Sequence, residues 1–373
     1  MNRLSNLRIL MTTDTVGGVW TYATTLASAL AGLGAEVYLV TIGPRPRADQ
    51  RAMLLTGVHL IESDLALEWQ DPESNDLSAA EEFLARLERQ IKPDIVHLNS
   101  FREATFDWNA PVLVVAHSCV NSWGIACNDT AWLTEPKWRR YSELVGAGLD
   151  RAQVWVCPSR ALRDVIFDLY RPHSPGKVIW NGIAPAPPPL CQKKHFILAA
   201  GRMWDTAKNL ATLAQAADGL NWPVLVAGPP GMSPGAVVSE VELLGELSRR
   251  DLRRWMERAA IFVSPALYEP FGISVLEAAS AGCALVLSDI PTFRELWDAA
   301  AVFVSPTDDG ALRNALSDLC TDTSKRSQLQ RAAFARARRF SIAPMTDAYA
   351  ELYRELLPSG GKTNAAPAVE VPA

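Results

Sequence analysis

Histidine is scarce, with five in 373 residues, and the six cysteines never form a C-x-x-C pair. Cys119, Cys127, Cys157, Cys191, Cys283 and Cys320 lie mostly in apolar surroundings. They read as reduced core residues of a cytoplasmic protein, and their spacing indicates no zinc site. No apolar run approaches the ~18 residues of a membrane span. The N-terminus runs straight into a strand without an apolar h-region, which argues against a Sec signal. A basic excess is missing too: 36 Lys and Arg face 41 Asp and Glu, a net charge of -5, the wrong balance for a nucleic-acid binder. No D-x-D motif sits at a plausible strand end to carry Mg2+ or Mn2+. The first strand is not followed by G-x-G-x-x-G, so a dinucleotide site is only weakly indicated.

What is present is an ordinary globular composition, 49% hydrophobic and 21% charged, in a chain long enough for two domains. Strand-like runs alternate with helical patterns. Leu7–Thr12 leads through Asp14-Thr-Val-Gly-Gly-Val-Trp20 into a helix that ends on Gly34, followed by strands at Val37–Thr41 and Val58–Ile61. An amphipathic helix over Leu77–Ile91 precedes strands at Pro93–Leu98, Val112–Ala116 and Val154–Cys157, and Ser159 is a good N-cap. Ala184-Pro-Ala-Pro-Pro-Pro-Leu190 is the clearest boundary, because four prolines in seven residues exclude a helix or central strand and make a stiff spacer. The alternation resumes at Phe196–Ala200, Pro223–Ala227, Val241–Gly245, Ile261–Ser264 and Ala284–Ser288. Each half should therefore be a mainly parallel sheet wrapped by helices. The expected layout is a first domain over 1–183, a linker over 184–190, a second domain over 191–343, a helix over 344–357 and a disordered tail over 358–373.

The most informative stretch is Ala260–Gly282. Ile261–Ser264 suits a buried strand, Pro265 and Pro270 break the chain on either side of Glu269, and helix-compatible residues run from Gly272 to Ala281. A strand feeding a loop that opens a helix leaves backbone N–H groups pointing outward, which makes an anion site. Gly272 lets a ligand approach the backbone. Two carboxylates beside such a site, Glu269 and Glu277, would repel the anion itself and fit better as acceptors for hydroxyls on either side of it. That combination describes a nucleotide-linked sugar. In the first half, the Gly17-Gly18 turn between strand and helix is another phosphate-approach arrangement. Asn99 falls at a strand's C-terminal end, where open α/β sheets place their ligands, and Val112–Ala116 delivers His117 to the same edge.

Glu269-Pro-Phe-Gly-Ile-Ser-Val-Leu-Glu277 resembles the E-x7-E signature of the retaining glycosyltransferases of family four. That family has the GT-B fold: two Rossmann-like parallel-sheet domains facing a central cleft. The resemblance spans nearly the whole chain up to about Leu357. It implies that Glu269 contacts the transferred sugar and Glu277 the donor ribose, with Phe271 and Gly272 in the donor site. Gly201-Arg202 and Lys208-Asn209 are similar to the family's G-R...K-N step, in which the Arg and Lys bind the donor pyrophosphate. The physics agrees independently, because preorganised cations stabilise the charge that a leaving nucleoside diphosphate gains. Arg202 and Lys208 can thus do a metal's electrostatic task, and no metal ligands are expected. The resemblance further implies a nucleobase held mostly by backbone at the turn containing Leu247, and His117 beside the donor sugar. It sets Gly17 and Gly18 opposite the donor diphosphate. Asp14, Trp20 and Tyr22, with Asn99, would then face the acceptor. Asn181-Gly-Ile183 is similar to the family's step into the linker, and the last helix would cross back onto the first domain. Two departures stand out. Thr15-Val-Gly-Gly-Val19 has no lysine, unlike the K-x-G-G-L loop of glycogen-synthase-like transferases, and Asp289–Glu295 lacks the Gly-Gly step that many relatives carry.

The resemblance implies a metal-independent, hexosyl-type enzyme that moves a sugar from a nucleoside diphosphate sugar, with UDP and GDP as the leading carriers, to a hydroxyl acceptor. The acceptor is a glycan, glycolipid or small molecule, and nucleoside diphosphate is released. The catalytic set is His117, Arg202, Lys208 and Glu269. No cofactor beyond the donor is expected, and no nucleic acid. A GT-B nucleotide-sugar 2-epimerase is the alternative. It would show base-catalysis carboxylates in the first domain in place of the full glutamate and cation set. A non-catalytic sugar-nucleotide-binding subunit would lack Lys208 or Glu269. Several of the 12 Trp residues sit in loop-like positions where they could stack on sugar rings. Lys137-Trp-Arg-Arg-Tyr141 reads first as a solvated helix face with a packed Trp. Its sharper reading is a surface for the acceptor, or for the inner membrane face if the acceptor is lipid-linked.

Overall fold

The protein, a computed structural model described over residues 4–185, 192–229 and 240–357, contains two all-parallel sheets. The first comprises β1 (Arg8–Thr13), β2 (Glu36–Thr41), β3 (Val58–Ile61), β4 (Ile95–Leu98), β5 (Val112–Val115), β6 (Val154–Cys157) and β7 (Lys177–Val178), in the order β3-β2-β1-β4-β5-β6-β7. The second comprises β8 (Lys194–Ala200), β9 (Val224–Ala227), β10 (Glu242–Gly245), β11 (Ala259–Ser264), β12 (Ala284–Ser288) and β13 (Val302–Val304), in the order β10-β9-β8-β11-β12-β13. Central strands β4, β5, β6 and β12 are buried along their whole length, whereas edge strands β3 and β10 keep exposed residues. This is the division expected when helical crossovers cover a parallel sheet. These are the expected Rossmann-like parallel-sheet domains.

Strand order reverses between β1 and β4 in the first sheet and between β8 and β11 in the second. Such switch points open a crevice at the strands' carboxyl ends, the usual seat of a ligand in open α/β sheets. The loops after β1 and β4, and those after β8 and β11, are therefore where each unit presents its chemistry.

Among the described residues, one compact unit takes 4–124, 129–182 and 342–357; the other takes those of 183–341 with 125–128. In the first unit the Gly18–Gly32 helix buries Trp20, Ala23, Thr24 and Ala27, an i, i+3, i+4, i+7 stripe. The Ile342–Leu356 helix belongs to this unit and buries Met345, Tyr349, Leu352 and Tyr353. It starts two residues before the expected Pro344, because a proline in the first turn has no helical N–H bond to lose. In the second unit Ile197, Val226, Ile261, Val263 and Val286 pack against Leu213, Leu312 and Leu316 of flanking helices. Ser159 caps its helix as expected, by accepting from Leu162 N–H at 3.2 Å. The Pro291–Trp297 helix and β13 were not foreseen. Pro291 at the first helical position was the available signal.

Of the linker, only Ala184 and Pro185 lie among the described residues, and the tail over 358–373 lies outside them. Among the described residues no helix is long and apolar enough to cross a membrane.

Candidate active site

In the second unit, the loop leaving β8 and the loop leaving β11 are tied together before any functional group is considered. Asn209 Nδ2 donates to Pro265 O at 2.9 Å and Pro306 O at 2.7 Å, and Leu267 N donates to Ala207 O at 2.9 Å. Asn209 has φ of 56°, a left-handed conformation that asparagine tolerates better than most residues. Asp205, 5% exposed in its side chain, accepts from Ala207 N–H at 3.0 Å and caps the short Thr206–Lys208 turn. The result is a fixed base from which Lys208 Nζ donates to Glu269 Oε2 at 2.6 Å. These two side chains are 19% and 15% exposed, so the pair is covered yet reachable from solvent.

Arg202 lies beside this pair in the chain, held by Asp205 Oδ2 at 3.0 Å and set 5.3 Å from the centroid of the Trp204 ring. Trp204 is among the exposed large apolar residues. The guanidinium and the ring make a cation–π contact.

The helix after Glu269 runs over Ile273–Ser280. Gly272, its cap, has φ of 85°, which a side-chain-bearing residue adopts only with strain. It has no side chain to offer the first turn, and Leu276 N donates to Gly272 O at 3.0 Å. The N–H groups before Leu276 in this turn have no partner among the described residues and can meet an anion. Phe271, by contrast, is buried, with its ring edge-on to Phe340 at 5.9 Å. It shapes the loop from beneath and presents no surface to a donor.

Glu277 projects from the second turn of this helix. Its Oε1 accepts from Arg249 Nε at 3.1 Å and is paired with Arg249 Nη2 at 3.1 Å. Arg249 opens the Arg249–Arg258 helix, whose cap Ser248 accepts from Asp251 N–H at 3.2 Å. Leu247 is half-buried in the turn between β10 and this helix. At the loop that departs from the family pattern, Asp289 and Arg294 form a bidentate pair at 2.6 Å and 2.6 Å, which fixes the start of the Pro291–Trp297 helix.

The switch point of the first unit is closed by neutral groups. Asn99 N donates to Thr12 Oγ1 at 2.9 Å, and Asn99 Nδ2 donates to Thr12 O at 2.6 Å. That leaves Asn99 Oδ1 to accept from His117 Nε2 at 2.7 Å, so the neutral imidazole carries its proton on Nε2 and keeps Nδ1 as an acceptor. Burial pushes the His117 pKa down, which favours this neutral form. Asp14 Oδ1 accepts from Val16 N–H at 2.9 Å and shapes the turn into Gly17, whose φ is 86°. Gly18 is the first residue of the helix.

Trp20 and Tyr22 are each 2% exposed, so as they stand neither presents a surface to an acceptor. Tyr22 packs edge-on against His117, with centroids 4.5 Å apart, and its hydroxyl meets His97 Nε2 at 3.3 Å. His97 Nδ1 meets the Tyr353 hydroxyl at 2.7 Å. The chain Tyr22–His97–Tyr353 thus joins the first and last helices of this unit beneath His117. Sequence reasoning did not find His97, Tyr353 or Arg249, since their partners lie 256 and 28 residues away. A histidine inside the buried run of β4 and a pair of arginines opening a helix were the available signals.

The aromatic and basic segment packs on itself. Trp123, Trp132, Trp138 and Tyr141 form a chain with successive centroids 6.2, 4.9 and 6.0 Å apart. Arg139 and Arg140 are exposed.

The family model for Glycosyltransferase Family 4 matches residues 16–186, and that for Glycosyl transferases group 1 matches residues 194–322. An O-antigen chain mannosyltransferase, RfbU of Salmonella typhimurium, is 29% identical over 140 residues, covering 34% of this chain and 39% of the relative. The chain therefore spans about two-fifths of that relative's length. Among solved structures, the sucrose-phosphate synthase of Thermosynechococcus elongatus superposes with a TM-score of 0.76 at 18% identity, covering 94% of this chain and 99% of that one. HepE of Anabaena, solved with UDP-glucose, gives 0.72 at 15% identity, covering 94% and 100%. At these identities the two structures speak to the fold.

Proposed function

Since this chain belongs to the family-four glycosyltransferases of GT-B fold, we propose that it transfers a sugar from a nucleoside diphosphate sugar to a hydroxyl acceptor, with retention of anomeric configuration. The observation that carries this reading is the Lys208–Glu269 pair at 2.6 Å, set beside the open helix start at Gly272 and followed by Glu277. An anion site, a cation and two hydroxyl-accepting carboxylates at one switch point fit a sugar joined to a diphosphate.

The roles follow from the chemistry of each group. As the bond between the anomeric carbon and the phosphate oxygen breaks, negative charge grows on the diphosphate. Lys208, Arg202 and the N–H groups after Gly272 meet that charge. Drawing Lys208 Nζ onto the phosphate releases Glu269 Oε2 to accept from a sugar hydroxyl, so donor binding switches one internal contact for two external ones. Glu277 accepts from the ribose and the backbone near Leu247 holds the base. The acceptor oxygen bonds to the anomeric carbon on the face the phosphate leaves, and its proton passes to the departing phosphate oxygen. No enzymic base need stand on the opposite face. In the first unit, His117 keeps Nδ1 as an acceptor that suits a hydroxyl, Asn99 holds that imidazole, and Gly17, Gly18 and Asp14 shape the turn after β1. Buried Trp20 and Tyr22 support this surface from within. The two cations make a divalent ion unnecessary.

The O-antigen function of RfbU favours a glycan acceptor. If that glycan is carried on a lipid, exposed Arg139 and Arg140 suit contact with anionic headgroups. The test is a panel of UDP-, GDP- and ADP-sugars screened for thermal stabilisation, followed by NMR of the product made from the best donor. An α-linked product from an α-donor supports the reading; stabilisation by none of the donors, or a β-linked product, overturns it.

A further inference from the structure

Arg249 has no role so far beyond touching Glu277, yet its placement is costly for the helix it opens. It is the first residue of the Arg249–Arg258 helix and is followed by Arg250, so two cations stand at the positive end of the helix dipole. Helix stability does not account for that choice. The contact with Glu277 does: both Nε and Nη2 of Arg249 reach the same oxygen, Oε1, at 3.1 Å. Nε donates to Oε1 and Nη2 makes an ion-pair contact with the same atom, so Oε1 is engaged by the arginine. Oε2 receives no hydrogen bond from the described residues, and the Glu277 side chain remains 20% exposed.

We propose that Arg249 is a positioning residue for donor recognition: it occupies Oε1 and turns Oε2 of Glu277 toward the ligand, where that single oxygen can accept from both hydroxyls of a vicinal diol. This rests on the reading of Glu277 as the ribose contact and adds a specificity to it. The site distinguishes ribonucleotides from deoxyribonucleotides, and Arg249 sets how sharply it does so. Because Arg249 comes directly after the turn containing Leu247, the same helix start couples base placement to ribose placement. At 40% side-chain exposure, Arg249 can be replaced without opening the core.

The experiment compares binding of UDP with 2′-deoxy-UDP, and of GDP with 2′-deoxy-GDP, to the full chain by calorimetry. Wild type, Arg249→Ala, Arg249→Lys and Glu277→Gln are each measured, with a thermal melt of every variant to show that it is folded. In wild type the deoxynucleotide of the recognised pair should bind roughly 10- to 100-fold more weakly, the scale of a hydrogen bond to a charged acceptor. Arg249→Ala should cut that ratio at least fivefold by letting the carboxylate swing, and Arg249→Lys should restore only part of it, since lysine lacks the fork. A wild-type ratio near one, or one unchanged by Glu277→Gln, overturns the assignment of Glu277 to the ribose. A ratio that collapses in Glu277→Gln but persists in Arg249→Ala overturns the role of Arg249 and leaves that assignment standing.

Discussion

The candidate site of the second unit and the aromatic chain of the first handle polar chemistry in opposite ways. In the second unit, charged side chains stand on loops and helix starts, paired with each other and partly open to water: Lys208 with Glu269, Arg202 with Asp205, Arg249 with Glu277. In the first, Tyr22, His97 and Tyr353 are buried and neutral, and they join helices to a sheet. The difference reflects desolvation. Full burial of an ion costs several kcal/mol even in a relaxed protein, so charges meant to meet a diphosphate are kept near solvent, where they can exchange partners. Neutral hydrogen-bonded groups carry a smaller penalty and can specify which helix packs where. One set is arranged to change partners, the other to keep them.

The sharpest way to break this comparison is to remove the exchangeable cation. Lys208→Ala should lower kcat by about 100- to 1,000-fold, the scale of losing one preorganised charge stabiliser. Arg202→Ala should do less, because Asp205 already holds that guanidinium. EDTA should leave wild-type turnover intact. A Lys208→Ala enzyme with normal kcat, or a wild type silenced by EDTA and restored by Mn2+, would show that the paired charges are structural.

A smaller effect should separate the two glutamates. On the proposed roles Glu269 meets the sugar, where contacts tighten as positive charge develops at the anomeric carbon, so Glu269→Gln should mainly depress kcat. On the same proposal Glu277 meets a remote group whose contact changes little along the reaction, so Glu277→Gln should mainly raise the donor KM. Steady-state kinetics at several donor concentrations decide it; a Glu269→Gln enzyme altered only in KM would reverse the division.

On the other side of the comparison, Tyr353→Phe should leave kcat within about twofold. It removes the partner of His97 Nδ1 in a fully buried position, which should cost about 1–3 kcal/mol of stability in a urea titration. Loss of turnover without loss of stability would mean that this buried chain serves catalysis directly.

What could be read beforehand follows the same division. The strands were legible because buried parallel strands are short continuous apolar runs; Val154–Cys157 and Ala284–Ser288 fall where the sequence alone puts them. The strand–loop–helix bearing Glu269, Gly272 and Glu277 was legible because its whole logic is contiguous. Pairings were not, since Lys208 meets Glu269 across 61 residues and His97 meets Tyr353 across 256, and nothing local encodes either meeting. Trp20 and Tyr22 show the converse. The family resemblance set them facing an acceptor, but both are buried in the Gly18–Gly32 helix, Trp20 on the inward stripe with Ala23, Thr24 and Ala27. Phe271 misled in the same way, because a loop aromatic can as well brace the loop as line its site.

Burial of unpaired acidity in the first unit supplies the last prediction. Glu68 Oε2 accepts from the N–H groups of Phe101 and Arg102 at 3.1 and 3.0 Å. The Arg102 guanidinium is committed to Glu103, Asp76 and Asp71. Burial therefore dominates, and Glu68 is pushed up to about 7. A carboxyl whose pKa is raised on folding stabilises the fold fully below its unfolded value, about 4.5, and that contribution is lost as pH rises through about 7. His97 acts with the opposite sign. Burial lowers it to about 3, so its contribution is present above its unfolded value and fades as pH falls. The two slopes oppose each other in wild type, and a single pH–stability curve would hide both. The difference between wild type and Glu68→Gln isolates one of them, since His97 is common to both proteins and the amide oxygen can still accept from both N–H groups. The variant should gain stability relative to wild type from about pH 4.5 to about pH 7 and hold that gain above it, measured by urea unfolding at each pH. A difference that stays flat across that range would mean that Glu68 is ionised throughout it.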